Sequence, residues 1–235
     1  MEAARMSNDS PIWTPARHPL ARFLRGLVTG TRLPMDGGWM RVTPWAPHIQ
    51  GILSFPGHAI LAVSYDRTEN DLAELGVDGW GGAHDPRVVT TLAKNGWIDT
   101  LDILFLGPGA GERAGGDHLV TRSDLAKHPL AEHAERVRSQ VQVYGSADPG
   151  VEDVVVLARG VGGLREISFE LDPRRRGQGR GVDLVRAALH CVPENELVAA
   201  CAAPANLPCA KSLVRAGLAP YGTIQLFTDR PERRS

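Results

Sequence analysis

The chain has 235 residues, 43% hydrophobic and 23% charged, with a formal net charge of −1. That length allows one large domain or two small ones around a substantial core, and the near-neutral balance argues against a polyanion-binding protein. No apolar run approaches the roughly 20 residues of a membrane helix, and the acidic start MEAARMSNDSPIW lacks a signal peptide's apolar stretch.

Residues 1–14 read as a frayed start. From Thr14, the segment TPARHPLARFLRGLVTG has a cap, then Leu20, Phe23, Leu24 and Leu27 on one helical face, and Gly30 as a stop. Residues 31–48, dense in Pro, Gly and Trp, read as an irregular connection. The near-continuous apolar run Gly57–Tyr65 predicts a strand buried on both faces. The turn-rich GVDGWGGAHDP leads to a short helix over Arg87–Asn95, and Ile98–Leu106 predicts another buried strand. GPGAGERAGGDH holds too many glycines for a helix, and it is the best candidate boundary between 1–117 and 118–235. Ser123 or Asp124 caps a helical region ending near Ser139, with a break at His128-Pro129.

Three strands then form an antiparallel meander over Gln140–Tyr144, Asp153–Arg159 and Leu164–Leu171. A helix over Arg180–Cys191, a strand over Glu196–Cys201, a helix over Asn206–Ala216 and a strand over Tyr221–Thr228 complete an α/β chain without a clear internal repeat. The three cysteines, Cys191, Cys201 and Cys209, lack CxxC spacing and read as reduced, mostly buried residues of a cytoplasmic protein with no metal site.

The chemistry concentrates in LREISFELDPRRRGQGRGVDLVRAAL. Alternation puts Ile167, Phe169 and Leu171 on one face of a strand and Glu166, Ser168 and Glu170 on the other. The strand runs into Gly177, Gly179 and Gly181 at alternate positions just before a helix. Glycines there let backbone N–H groups converge, and the helix N-terminus adds free donors and a positive dipole end. Arg176 and Arg180 add charge suited to a pyrophosphate. Walker A is absent, and GxGxxG fails at Val182 and Leu184. A GxGxxA match at residues 109–114 is not followed by an apolar-periodic helix.

The loop Arg176-Gly-Gln-Gly179-Arg-Gly181 resembles the R/Q-x-x-G-x-G/A signature of the GNAT superfamily of acyl-CoA-dependent N-acyltransferases. ANLPCAKSLVRAGLAPYG, with Asn206, Cys209 and Gly217-Leu218, resembles the family's second signature. The resemblance covers roughly residues 122–228. It implies a mixed, mostly antiparallel sheet flanked by helices, with the catalytic domain over 118–235. Residues 1–117 would be a degenerate copy of the same fold that shapes the acceptor pocket, as in tandem members. Trp39, Trp45, Trp80, Trp97 and His84 are pocket candidates there, without assigned roles.

The resemblance further implies acetyl-CoA, or another acyl-CoA, as co-substrate and no metal. Its pyrophosphate would lie on the amides of Arg176, Gly177, Gln178, Gly179, Arg180 and Gly181. The pantetheine arm would pair near Glu170 and Leu171, and Asn206 would reach its thiol end. The acceptor would be an amine, in a small molecule or a peptide, attacking the thioester directly in a ternary complex, with Glu166 as base. The helix tyrosine that serves some members as general acid is replaced by the Ser212-Leu213 pair, which leaves the acid unassigned, with Tyr144 and Tyr221 as substitutes. The alternative is a non-catalytic acyl-CoA-binding or sensing module. Neither nucleic acid nor membrane is an expected partner, and a homodimer stays open.

Overall fold

The computed structural model describes residues 17–112 and 119–230. The expected frayed start, the expected helix start at Thr14 and the end of the glycine-rich loop lie outside the described residues. The first helix, α1 (Pro19–Val28), has Pro19 in its first turn and is capped by His18, whose ring accepts the Leu20 N–H at 3.2 Å. A strand, β1 (Trp39–Val42), interrupts the segment expected to be irregular. It exists because it pairs in parallel with β3 (His58–Ala62), a tertiary contact that local composition does not announce. All five residues of β3 are buried, as its sequence predicts, and it forms a hairpin with β2 (Gln50–Phe55).

Two short helices follow: α2 (Glu69–Glu74), with a Thr68/Asp71 capping box, and α3 (Pro86–Ala93), capped by Asp85. The strand β4 (Ile98–Pro108) is buried only over 104–107; Ile98 and Leu101 are exposed, against the expectation of burial throughout. Then come β5 (Val120–Thr121) and α4 (Pro129–Val137), which starts at the expected break with His128 as cap. The expected meander is β6 (Ser139–Gly145), β7 (Val154–Arg159) and β8 (Arg165–Glu170), antiparallel throughout. The chain closes with α5 (Arg180–His190), β9 (Leu197–Ala202), α6 (Leu207–Ala216) and β10 (Ala219–Phe227).

One ten-stranded sheet, in the order β1-β3-β2-β10-β4-β9-β8-β7-β6-β5, joins both halves of the chain. Only β1–β3 and β8–β9 are parallel among the described pairs. This is the mixed, mostly antiparallel, helix-flanked α/β architecture expected. The strand order does not repeat the meander in residues 1–117. Instead β4 of that half lies between β9 and β10.

Residue parity divides the core. On one face, α1 lays Leu20 and Leu24 against Leu53, Ile60, Leu104, Leu106, Ala199 and Ile224. Burying each of those two leucines contributes about 1.5–3 kcal/mol. On this face α4 covers Val154 and Val156. On the other face α2 and α3 cover one end of the sheet, while α5 and α6 cover Phe105, Ile167, Val198 and Ala200.

The parallel ladder between β8 and β9 sets the site. It runs Arg165↔Val198, Glu166↔Ala199 and Ile167↔Ala200, then stops. Beyond it, β8 continues through Ser168–Glu170 on β7, while Cys201 and Ala202 stay on β4. The two strands part toward their carboxyl ends, so one edge of each faces a wedge without a strand partner. Crevices at such ends are where open α/β sheets take ligands.

Candidate active site

The sequence-predicted loop closes the mouth of the wedge. Its frame is fixed by charge pairs. Asp172 is buried, accepts the Arg174 backbone N–H at 2.9 Å and pairs with its guanidinium at 2.6 Å. Those bonds hold the Asp172 carboxyl far below the usual carboxylate range. Asp153 accepts the Asp172 N–H at 2.9 Å and meets Arg175 at 3.4 Å. Two of the three consecutive arginines therefore anchor the loop. The third, Arg176, is half exposed, bonded to Glu170 at 2.8 Å and to the Leu171 carbonyl at 3.2 Å.

Past Arg176, the chain offers backbone. Gly177 and Gly179 both sit at φ +77°, and a Cβ on either would meet nothing within 4 Å. Packing does not require these glycines; the left-handed conformation does, and it leaves open space over the amides. Gly179 caps α5 without any side-chain hydrogen bond, and its carbonyl accepts the Val182 N–H at 3.1 Å, while the N–H groups of Arg180 and Gly181 have no acceptor among the described residues. The Gln178 amide reaches the Arg174 carbonyl at 3.4 Å. Arg180 is exposed and makes no ion pair among the described residues. At Gly181 a Cβ would lie 2.6 Å from Ser212 Oγ, so glycine here serves the close approach of α5 to α6. A cavity of about 430 Å³ beside the loop is lined by residues including Val120, Ser146, Asp153, Arg175, Arg180 and Leu184.

On the opposite wall, Asn206 caps α6, its side-chain oxygen accepting the Cys209 N–H at 3.2 Å. The amide nitrogen of Asn206 has no partner among the described residues. Loop and cap thus stand at the carboxyl ends of the two parting strands. At the two positions where a helix tyrosine would stand, Ser212 donates to the Pro208 carbonyl at 2.9 Å and Leu213 is fully buried. Tyr144 packs against the core on the α5 side of the sheet, away from Glu166, and burial raises its pKa. Tyr221 lies on the Glu166 side, in the bulge between Pro220 and Gly222.

The polar face of β8 differs from a solvated strand. Glu166 is only 2% exposed. Its carboxylate meets Arg138 at 2.6 Å and accepts the Val161 N–H at 3.0 Å. Arg138, at the end of α4, also donates to Ser168 Oγ at 2.7 Å, and its Nε is buried without a partner among the described residues. On the same face of the sheet, β4 contributes Asp102, half-buried, bonded by the Thr100 hydroxyl at 2.9 Å. The β4–β10 ladder takes one extra residue of β4 between Leu101 and Ile98, and Asp99 meets His133 of α4 at 3.9 Å. Burial first, then the charges of Asp99 and Glu166, raise the Asp102 pKa; the Thr100 bond and Arg138 oppose them.

Sequence reasoning did not single out Arg138, Asp102, Asp99 or His133. The signal for the two aspartates was there, as acids inside the mostly apolar IDTLDILFL. Arg138 had no signal, since only the fold brings it to β8. The aromatic candidates of the first half do not converge. Trp45 is buried under α1, Trp80 is exposed, Trp97 packs edge-on against His133, and His84 reaches Thr223 on the far face.

The three cysteines are free; Cys191 is exposed, against the expectation of mostly buried residues, while Cys201 and Cys209 are partly covered. Burial pushes the Cys209 thiol up to about 11, and Cys201 well above its ordinary value, with Glu166 adding to the effect. Only the thiolate reacts. Iodoacetamide at pH 8 is therefore expected to label native protein at Cys191 before the other two, as read by peptide mass spectrometry.

No protein-family model and no curated protein matches the chain. Among solved structures it is similar to an acetyltransferase of the GNAT family from Colwellia psychrerythraea, at 10% identity and a TM-score of 0.39, over 62% of each chain. It is also similar to a GCN5-related N-acetyltransferase from Kribbella flavida, at 14% identity and a TM-score of 0.37, over 61% of this chain and 64% of that one. The chain thus spans less than two thirds of the length of either structure.

Proposed function

We propose that this chain is an acyl-CoA-dependent N-acyltransferase that moves an acetyl or other acyl group from coenzyme A to a primary amine by direct attack in a ternary complex. The observation that carries the reading is the parting of β8 and β9 onto an open, glycine-lined helix start. A pyrophosphate fits there on chemical grounds. Residues 177–180 are exposed, the helix dipole is positive at that end, and Arg180 makes no ion pair among the described residues. The cavity beside Arg180 leaves room for the nucleotide end of the cofactor. Residues 118–235 would form the cofactor-binding half, and 1–117 the acceptor side.

The chain's own residues then divide the work. The free edge of Ser168–Glu170 offers backbone groups to an extended amide-bearing arm, as in strand addition, with Glu170 and Leu171 at its entrance. Asn206, whose amide nitrogen has no partner among the described residues, caps α6 just past the carboxyl end of β9. Holding amine and thioester together supplies the proximity on which a direct attack depends. Glu166 is already satisfied by Arg138 and the Val161 N–H, so we assign it to holding Arg138 against Ser168 rather than to removing a proton.

The filled tyrosine positions favour a second reading, a module that binds acyl-CoA without turnover. One experiment separates them. With acetyl-CoA at about 100 times its Kd, the chain should gain about 2.7 kcal/mol of stability, while pantetheine at the same concentration, lacking the pyrophosphate, should give far less. Thiol release across a panel of amines should follow for the transferase and be missing for the binding module. A chain whose melting temperature ignores acetyl-CoA defeats both.

A further inference from the structure

The meander, the loop and both signature helices lie in the second half of the chain, yet the strand beside β9 comes from the first. Between β9 and β10, on the edge of β9 away from the wedge, β4 places a carboxylate just past the carboxyl end of β9, where the wedge opens. By the register, Asp102 follows Leu104 and Leu106 on the face that carries Cys201 and Glu166, one step past the end of β9. Of the acids on this face, Glu166 is committed to two partners. Asp102 receives one hydrogen bond, from Thr100, and is half-buried rather than sealed.

We propose that Asp102 is the general base that takes the proton of the acceptor ammonium, a role that rests on the acyltransferase reading above. The carboxylate accepts one proton from R–NH3⁺. The free amine nitrogen then attacks the thioester carbonyl, forming the C–N bond as the C–S bond breaks. The second N–H proton goes to the departing thiolate, giving the thiol, and Asp102 releases its proton to solvent. The ionisable groups whose charges couple to Asp102 are Asp99 on its own strand, Glu166 on β8, Arg138 at the end of α4, the Cys201 thiol on the same face and the Cys209 thiol on α6. His133 lies one step farther, against Asp99. Burial and the two neighbouring acids raise the pKa of the Asp102 carboxyl, toward that of a useful base.

The test uses the full chain and acetyl-CoA with the best amine of the panel, reading kcat/KM against pH. Wild type should rise with pH along a single limb as Asp102 ionises. Asp102→Asn should fall about 100-fold or more and lose that limb, while keeping the acetyl-CoA-induced rise in melting temperature. Asp102→Glu should recover part of the rate. Thr100→Ala, at an exposed position, removes the bond that lowers the Asp102 pKa, so its limb should move to higher pH. This variant decides the matter if Asp102→Asn fails to fold.

Wild-type rate and limb in Asp102→Asn, or an unmoved limb in Thr100→Ala, would overturn the assignment with the transferase reading intact. Loss of both turnover and acetyl-CoA-induced stabilisation in folded Asp102→Asn would make the residue structural, and also overturn it. A wild type that binds acetyl-CoA but acylates no amine sinks the transferase reading first and the base with it.

Discussion

Glu166→Ala is expected to destabilise the chain by about 3–5 kcal/mol in guanidinium denaturation, the cost of stranding one member of a buried ion pair. The side chains of Glu166 and Arg138 are 3% and 8% exposed, so water cannot take the place of the lost partner. The removed carboxylate also leaves the buried Val161 N–H without its acceptor. The space is tight: a Cβ on Gly160 would overlap the Glu166 carboxylate. Glu166→Gln keeps the shape but not the charge, so most of the cost should remain. Pairing Glu166→Leu with Arg138→Met should recover much of it, since buried pairs often exchange for apolar ones at little net cost. A small loss in Glu166→Ala, below about 1 kcal/mol, would mean that the pair is hydrated and Glu166 is free for chemistry.

That outcome bears on what the sequence can reveal. Alternation correctly put Glu166, Ser168 and Glu170 on one face of β8, and the glycine spacing correctly located an uncovered helix start. Both are local patterns, written within a few residues. The state of Glu166 is not local. It depends on Arg138, from a different element, and on a backbone turn at Val161, neither of which any periodicity near Glu166 encodes. The same holds for β1 and for the place of β4. Trp39–Val42 becomes a strand because β3 offers an edge, against a composition that favours loop. Apolar content in Ile98–Leu106 predicted a strand, but only the sheet order puts its exposed start, with Asp99 and Asp102, beside the carboxyl end of β9. Conversely, the arginine run looked more available than it is. Arg174 and Arg175 are tied to Asp172 and Asp153, and a charge count cannot distinguish an anchor from a free donor.

Gly179→Asp is the substitution expected to separate cofactor binding from folding most sharply. The backbone there lies at φ +77°, which costs a residue with a side chain about 1–2 kcal/mol. No neighbouring atom lies within 4 Å of the new Cβ, so no further packing cost is added. The fold should therefore survive with a modest drop in melting temperature. Binding should suffer far more. The carboxylate would occupy the space over the amides and oppose the cofactor's own negative charge at the point where the helix dipole attracts it. Loss of two charge-assisted hydrogen bonds, each worth about 1.5–3 kcal/mol, corresponds to a Kd for CoA higher by a factor on the order of 10³. Isothermal titration with CoA and with pantetheine reads this directly. The CoA affinity of the variant should fall toward that of pantetheine, which lacks the pyrophosphate together with the nucleotide beyond it. Retention of wild-type CoA affinity in a folded Gly179→Asp chain would mean that the cofactor does not rest on this loop, and the parting of β8 and β9 would then need another occupant.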